Sequence, residues 1–414
     1  MKYEINKEFM MLRNIPLMVY SPKEKSGREN IAVVLMHSNS IYFETPQAFA
    51  VAERGYLCFV STATSHETTL DQKLVHLAKV VEYARAYPGV EQVLLFGHSG
   101  GATLMSAYQA IAEKGTAFFR SGRHVIDLDD IGELSPADGV MLIDANFGNG
   151  VMTLLSLDPS VIDENDPKKR DASLNLFDPA NGYDPSGNCH FSDAFVKRYV
   201  RAQGERMNRL VAYARERVRA IEEGRGQFDD DEPFVIPGAD QVGPLNKLFP
   251  QMPSFFSHTR DAWPLIHADD SVTEQIVPCV RDFRAGRDLT TSLHGSGVET
   301  TVKEFLKNTA TLATEEFGYD ETTLYGVDYK SSYCVTLGNV SYISIPMLMM
   351  GLTGSYEYIT AEHAYHEAVS CADKTVAFVE GAGHNFMAEK EEYGDTVNSC
   401  FNYVDQWIQS RYFR

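Results

Sequence analysis

Short apolar runs alternate with stretches of helical periodicity along the first third of the chain and again near its end. The apolar runs are typical of strands buried on both faces of a parallel sheet, and they cover 31–37, 56–61, 93–97, 139–143, 345–352 and 375–379. Helical spacing is found over 45–54, 70–87, 102–114, 361–370 and 396–409. Residues 8–20 predict a β-hairpin ahead of these elements. The alternation predicts an α/β fold with a doubly wound, mostly parallel sheet.

The regular alternation breaks at about residue 147 and resumes at about residue 341. The stretch between these points is too long to be a simple loop. It contains a long amphipathic helical pattern over 192–223 and a second helical pattern over 298–317. We therefore expect a core made of residues 1–146 and 341–414, with a large, mainly helical domain of residues 147–340 inserted into it.

A glycine-rich turn, Gly97-His98-Ser99-Gly100-Gly101, follows the third apolar run. It matches G-x-S-x-G, a pattern that places a serine on a strained corner between a strand and a helix, with its hydroxyl exposed at the top of the sheet. Glycines are needed there because the two backbones crowd the corner and leave no room for a Cβ atom. A serine is a weak nucleophile at neutral pH, so it also needs a base and a carboxylate that orients the base.

A histidine follows the last predicted strand, in the loop Gly381-Ala382-Gly383-His384-Asn385-Phe386. The loops at the carboxyl ends of parallel strands meet at one edge of the sheet, where open α/β sheets bind their ligands. We therefore expect His384 to reach Ser99.

The hairpin, the alternating strands and helices, the serine turn and the late glycine-rich histidine loop together resemble the α/β-hydrolase superfamily. The resemblance covers residues 1–146 and 341–414. In that family the catalytic residues follow the chain order serine, acid, histidine. The resemblance implies that Ser99 is the nucleophile, that His384 is the general base, and that residues 147–340 form a cap, or lid, domain.

The acid has two candidates. The family usually places it in a Gly-x-x-Asp turn after the strand predicted over 345–352, and this chain has Gly354-Ser355-Tyr356-Glu357 there. Glu357 is the preferred acid. The family also uses the end of the strand after the serine turn, where Asp144 stands, so Asp144 is the alternative.

The oxyanion hole needs two backbone donors, and the resemblance assigns one of them to Gly100. The second belongs to the loop after the strand predicted over 31–37. Many family members have His-Gly-x at this point, whereas this chain has His37-Ser38-Asn39-Ser40. Asn39 is the preferred donor and Ser38 the alternative.

These residues indicate a serine hydrolase that cleaves an ester, lactone or related acyl bond of a small or medium organic molecule. An amidase, a carbon–carbon bond hydrolase and an acyltransferase are compatible with the same fold, and a non-catalytic binding protein is the other alternative. An apolar pocket between core and cap is expected to be lined by aromatic residues such as Phe147, Phe255, Phe256 or Trp263.

The composition and the motifs limit the kinds of molecule that the protein is expected to bind. The 414 residues carry a formal charge of −20, from 37 basic and 57 acidic residues, which argues against nucleic-acid binding. His363-x-x-His366-Glu367 lacks the H-E-x-x-H order of a metal site, and no phosphate-binding glycine motif is present, so neither a metal nor another cofactor is expected.

No signal peptide or membrane span is recognised, and six scattered cysteines favour reduced thiols in a cytoplasmic protein. The expected partner is a small-molecule substrate, and a homodimer is compatible with these features.

Overall fold

Strands and helices alternate along most of the chain in the computed structural model, which describes residues 2–62, 68–241 and 247–413. The strands are β1 (Ile5–Leu12), β2 (Ile15–Pro22), β3 (Ile31–Met36), β4 (Leu57–Ser61), β5 (Gln92–Ser99), β6 (Gly139–Ala145), β7 (Pro233–Ile236), β8 (His258–Ile266), β9 (Val272–Pro278), β10 (Val298–Thr301), β11 (Leu312–Tyr319), β12 (Leu324–Asp328), β13 (Met347–Leu352) and β14 (Lys374–Val379). The α-helices are α1 (Pro46–Ala52), α2 (Leu70–Arg85), α3 (Gly100–Lys114), α4 (Asn149–Ser156), α5 (Asp193–Glu222), α6 (Leu293–Ser296), α7 (Val302–Asn308), α8 (Thr336–Val340), α9 (Thr360–Glu367) and α10 (Thr396–Tyr412).

One large sheet organises the core, with the strand order β1-β2-β4-β3-β5-β6-β13-β14-β8-β9. The pairs from β4 through β8 are parallel, whereas β1 pairs with β2, β2 with β4, and β8 with β9 in antiparallel fashion. The predicted α/β fold and its doubly wound, mostly parallel sheet are confirmed.

The central strands are apolar throughout because helices cover both faces of the sheet. Strand β3 shows this clearly, since all six of its residues are buried. Its alternate side chains enter two different cores: Ala32, Val34 and Met36 pack in the cluster that contains α2 and α3 residues, and the other three pack in the cluster that contains α1 and α10 residues. The continuous apolar runs in the sequence are the consequence of this two-sided burial.

The inserted segment 147–340 is mixed in structure rather than mainly helical. The predicted long helix is present as α5, and the Ser192 side chain caps it by accepting a hydrogen bond from the Phe195 amide. The hairpin β8–β9 belongs to this segment, but it pairs with β14 and extends the core sheet. Strand β9 is an edge strand with mostly exposed side chains, so its sequence lacks the apolar run that identifies the central strands.

The prediction of a helix over 298–317 is wrong. This stretch forms strand β10, the short helix α7 and strand β11. Strand β10 pairs with β7, and β11 pairs with β12. The β-branched residues Thr300, Thr301, Thr309 and Thr311 favour extended backbone on either side of α7, and strand pairing outweighs the helical spacing of the apolar residues.

Within the described ranges, no helix combines the length and the apolar character that crossing a bilayer requires. All six cysteines are described, and each of them is a free thiol.

Candidate active site

Ser99 lies at the corner between β5 and α3, in a conformation that residues other than glycine rarely adopt. Its backbone has φ 53° and ψ −128°, and α3 begins at the next residue. A Cβ atom on Gly97 would lie 2.7 Å from the Cα atom of Ala102, so strand and helix can approach each other only if this residue is glycine. The corner therefore has the shape that the G-x-S-x-G pattern predicts, and Ser99 lines a cleft at the carboxyl edge of the sheet.

His384 lies in the loop after β14 and is bonded to Asp144. Its Nδ1 atom donates to Asp144 Oδ2 over 2.6 Å. The other carboxylate oxygen of Asp144 accepts from the Leu352 amide at 3.1 Å, and the residue is fully buried. Asp144 is thus held by the backbone of the neighbouring strand β13 while it fixes the orientation of the imidazole. Its own φ of 44° is also in the left-handed region, which marks a second strained position at this edge.

Glu357 lies in the same cluster but makes a weaker connection to the histidine. Its Oε2 atom is 3.9 Å from His384 Nδ1, which is beyond hydrogen-bond distance. This oxygen has no hydrogen-bond partner in the part of the chain that the structure describes. Burial raises the pKa of Glu357 to about 6, and the charge of Asp144 acts in the same direction. The charges of His384 and Lys247 and a hydrogen bond from Ser99 oppose this rise.

The two carboxylates also set the charge state of the histidine. Burial alone would lower the pKa of His384, but Glu357 and Asp144 together raise it to about 9. His384 is therefore protonated over most of the neutral range in the resting protein. An imidazole must be neutral to accept a proton. The two carboxylates therefore favour His384 as a proton acceptor only at alkaline pH.

A second histidine, His98, anchors the backbone of the His384 loop. Its Nε2 atom donates to the carbonyl oxygen of His384 at 2.8 Å, and its Nδ1 atom accepts from the Tyr42 hydroxyl at 2.7 Å. The two imidazole rings are in contact at a centroid distance of 4.6 Å, with their planes tilted by 31°. Burial holds the pKa of His98 well below its usual value, so the ring is neutral. Sequence reasoning missed this role, because His98 occupies the variable position of the G-x-S-x-G pattern.

The loop after β3 wraps around a third imidazole. The amides of Asn39 and Ser40 donate to His37 Nδ1 at 3.0 and 2.9 Å. Burial lowers the pKa of His37 to about 3, so this nitrogen remains an acceptor. The Asn39 amide, the preferred second oxyanion donor, is therefore already occupied. The Ser38 amide donates to no acceptor among the described residues, and the Ser38 hydroxyl lies beside Gly100.

These residues surround a cleft of about 710 Å³. Its lining includes the polar side chains of Asn146, Asn149 and Gln241 in addition to the residues near Ser99. None of the four aromatic residues predicted to line an apolar pocket is part of it. Phe147 and Phe256 are buried against each other, Phe255 packs on Tyr319, and Trp263 donates to Glu362. The choice of these four rings is wrong, because they pack against other side chains away from the cleft. The aromatic residues of the lining are Tyr42, Tyr356 and Phe386.

Among the described residues, two groups of side chains have spacings that would suit a metal ion. In the group His98, Asp144 and His384, hydrogen bonds already occupy Asp144 Oδ2, His384 Nδ1 and both ring nitrogens of His98. In the group Asp261, Glu362 and His366, the Glu362 carboxylate accepts from two backbone amides and the Trp263 indole. These hydrogen bonds explain the close spacing of the side chains in both groups.

The two histidines of the stretch His363-x-x-His366-Glu367 have different partners. His363 pairs through Nε2 with the Thr322 carbonyl oxygen, whereas His366 Nε2 lies 3.1 Å from Asp261.

No protein-family profile and no curated protein matches this sequence. Among solved structures, the chain is similar to Est1E from Butyrivibrio proteoclasticus, with 10% identity, a TM-score of 0.42 and coverage of 98% of each chain. It is also similar to a thermostable carboxyl esterase from Bacillus coagulans, with 11% identity, a TM-score of 0.41 and 99% of each chain covered. A third similar structure is esterase B from Lactobacillus Rhamnosis, with 8% identity, a TM-score of 0.43, and 98% of this chain and 88% of that one covered.

The assignment of the fold follows from this chain's own topology. A hairpin precedes the parallel strands, the serine corner follows β5, and the histidine loop follows β14. Ser99, Asp144 and His384 stand in the chain order serine, acid, histidine, and they meet at one edge of the sheet. The chain therefore has the α/β-hydrolase fold.

Proposed function

We propose that the protein is a serine hydrolase that cleaves an ester or a related acyl bond through an acyl-enzyme formed on Ser99. The observation that carries the proposal is the strained Ser99 corner, which faces the same cleft as an imidazole oriented by a buried carboxylate. This combination supplies a nucleophile, a base and an orienting acid in one place.

In the proposed reaction, the Ser99 oxygen attacks the substrate carbonyl while His384 Nε2 accepts the hydroxyl proton. The protonated imidazole then gives this proton to the leaving group, and the acyl-enzyme forms. Water attacks the acyl-enzyme by the same sequence, with His384 again as base, and Ser99 is regenerated. Asp144 holds the imidazole in the tautomer that leaves Nε2 free to accept.

The geometry supports Asp144 as the orienting acid, in place of Glu357, which the sequence favoured. Asp144 makes the 2.6 Å bond to His384, whereas Glu357 lies at 3.9 Å. We assign Glu357 a different part: its charge raises the pKa of His384 and stabilises the imidazolium that forms during the reaction.

The geometry also supports Ser38 as the second backbone donor of the oxyanion hole, in place of Asn39. The Asn39 amide is bonded to His37, whereas the Ser38 amide has no acceptor among the described residues and belongs to a residue whose side chain lies against Gly100. With the Gly100 amide at the start of α3, it would stabilise the negative charge that develops on the carbonyl oxygen.

We propose that residues of the inserted segment act as a cap over the acyl site. Met152, Asp240, Gln241, Val298 and Thr309 line the cleft together with the core residues. Most of the polar lining consists of amides and hydroxyls, which suits a small or medium substrate that carries hydrogen-bonding groups.

The experiment is hydrolysis of p-nitrophenyl butyrate, together with labelling by a fluorophosphonate and mass spectrometry of the labelled peptide. We expect turnover, a single label on Ser99, and loss of both in Ser99→Ala. Ser156→Ala is the matched control, because this serine is buried in α4 and bonds only a backbone carbonyl of its own helix. Turnover that is unchanged in Ser99→Ala, or a label that is placed elsewhere, would contradict the proposal.

A further inference from the structure

The side chain of Ser38 also takes part in this site. We propose that the Ser38 hydroxyl, held in place by Asn149, is a third donor of the oxyanion hole, in addition to the two backbone amides. This inference rests on the proposed function, because it assigns a catalytic role at the same acyl site.

The first observation is the position of the hydroxyl. Ser38 lines the cleft although only 1% of the residue is exposed, so its side chain is enclosed rather than freely solvated. A Cβ atom on Gly100 would lie 2.6 Å from Ser38 Oγ, which places the hydroxyl directly against the residue that supplies the first oxyanion amide. A donor in this place lies next to the amide that would stabilise the charge on the carbonyl oxygen of a Ser99 adduct.

The second observation is that the hydroxyl proton is available. Ser38 Oγ accepts a hydrogen bond from Asn149 Nδ2 at 3.3 Å. Across the described ranges, the hydroxyl donates to no protein acceptor. A hydroxyl has one proton and two acceptor sites, so this bond satisfies the oxygen and leaves the proton free for a ligand.

The third observation is that Asn149 is itself fixed. Its backbone amide donates to Thr103 Oγ1 at 3.1 Å, and its Oδ1 atom accepts from Asn146 Nδ2 at 3.4 Å. These bonds assign the Oδ1 side of the carboxamide to the core and turn the Nδ2 side towards Ser38. Asn149 therefore acts as a positioning residue.

The loop that carries Ser38 is rigid on its other side as well. His37 accepts two amides of the loop, and its ring stacks on Tyr42 at a centroid distance of 4.7 Å. A donor fixed before the reaction needs no reorganisation when charge develops, and removal of one such donor typically lowers kcat by about 10²-fold to 10³-fold. Since the charge exists mainly in the transition state, the loss is expected in kcat rather than in KM.

The test compares Ser38→Ala with the matched control Ser106→Ala. Ser106 is also a buried serine whose Oγ accepts from an asparagine Nδ2 at 3.3 Å, here from Asn339, but it lies away from the cleft. Both variants lose a hydroxyl and an asparagine bond, and Ser106→Ala also loses the bond that its hydroxyl donates to the Thr103 carbonyl oxygen, so Ser106→Ala is expected to lower Tm at least as much as Ser38→Ala. Only Ser38→Ala is expected to lower kcat for p-nitrophenyl butyrate, by about 10²-fold, with KM changed less than about 3-fold.

Two further measurements separate catalysis from folding. Butylboronic acid forms a tetrahedral adduct with a serine nucleophile, and its inhibition constant is expected to weaken in parallel with kcat in Ser38→Ala. Asn149→Ala keeps the hydroxyl but releases it, so a smaller loss of kcat, about 10-fold, is expected. If Ser38→Ala proves unstable, Ser38→Gly, which also lacks the hydroxyl, replaces it in the comparison.

The outcomes distinguish this inference from the proposed function. If Ser38→Ala retains the kcat of Ser106→Ala while hydrolysis still depends on Ser99, the inference is overturned and the proposed function stands. If the unaltered protein shows no hydrolysis that depends on Ser99, the proposed function fails, and the inference fails with it.

Discussion

The carboxyl end of β6 and the turn after β13 each bring a carboxylate to His384, but the two carboxylates are held differently. Asp144 is fully buried, and both of its oxygens accept hydrogen bonds, from His384 and from the Leu352 amide. Glu357 is nearly as buried, yet its Oε2 atom has no such bond to any described residue and stays 3.9 Å from the imidazole. A carboxylate can fix a ring only if it is itself fixed. The comparison therefore assigns orientation to Asp144 and electrostatic influence to Glu357.

The largest effect expected from this comparison belongs to Asp144→Asn. An asparagine in this place can donate to Nδ1, which would select the wrong imidazole tautomer, so kcat is expected to fall by about 10³-fold to 10⁴-fold. The measurement is kcat for p-nitrophenyl butyrate, with Tm as the check on folding. If Glu357 were able to replace Asp144 as the orienting acid, the loss would be less than about 10-fold.

The next largest effect concerns the anchor of the His384 loop. His98→Ala removes the bond to the His384 carbonyl oxygen and the bond from Tyr42. Because Asp144 alone must then hold the imidazole, kcat is expected to fall by about 10-fold to 10²-fold, an intermediate loss for a misplaced catalytic group. Tyr42→Phe keeps the ring and removes only the hydroxyl, so its loss should be smaller. Equal kcat values in His98→Ala and the unaltered protein would show that Asp144 is sufficient.

Glu357→Gln should change the pH dependence more than the maximal rate. The pKa of His384 is raised to about 9, and Glu357 is the leading cause of the rise. The reaction needs neutral imidazole, so kcat/KM of the unaltered protein should increase with pH, reach half of its maximum near pH 9 and level off above that pH. In Glu357→Gln the rise of kcat/KM should occur at lower pH, while kcat at high pH changes by only a few-fold. A pH dependence of kcat/KM that is unchanged in Glu357→Gln would contradict the electrostatic role of Glu357.

The smallest effect is on stability. The pKa of Glu357 is raised from 4.5 to about 6 in the folded protein, so the folded state binds its proton more tightly than the unfolded state does. Stability is therefore lost as pH rises through this window. Glu357→Gln avoids the loss and should be more stable at pH 8, by on the order of 1 kcal/mol, with the difference narrowing at pH 5. Chemical denaturation at the two pH values measures it, and a less stable variant at pH 8 would contradict the prediction.

The sequence predicted those parts of the molecule that depend on short stretches of chain. Strands such as β3 and β13 were found within about two residues because burial on both faces makes them continuously apolar. The Ser99 corner and the loop that carries His384 were predicted because the glycines that shape them lie within a few residues of each side chain. The edge hairpin β8–β9 and the break at α7 were missed, because the pairing of β8 with β14 and of β10 with β7 joins segments that are distant in the chain.

The choice between the two acids could not be made from local sequence. Met350 of β13 pairs with Ile143 of β6, so the register between these strands decides which turn approaches the histidine more closely. The same is true of Asn39 and Ser38, because the buried His37 ring decides which amide is occupied. Both choices depend on contacts between segments that are far apart in the chain or on a side chain's buried orientation.

The most direct test of the central claim, that Asp144 rather than Glu357 orients His384, is the low-field proton NMR spectrum of the free protein. A proton on Nδ1 in a short bond to a carboxylate gives a strongly shifted signal, and His384→Gln identifies it by its disappearance. The signal is expected to persist in Glu357→Gln and to be lost in Asp144→Asn at the same pH. A signal that persists in Asp144→Asn and is lost in Glu357→Gln would contradict the account.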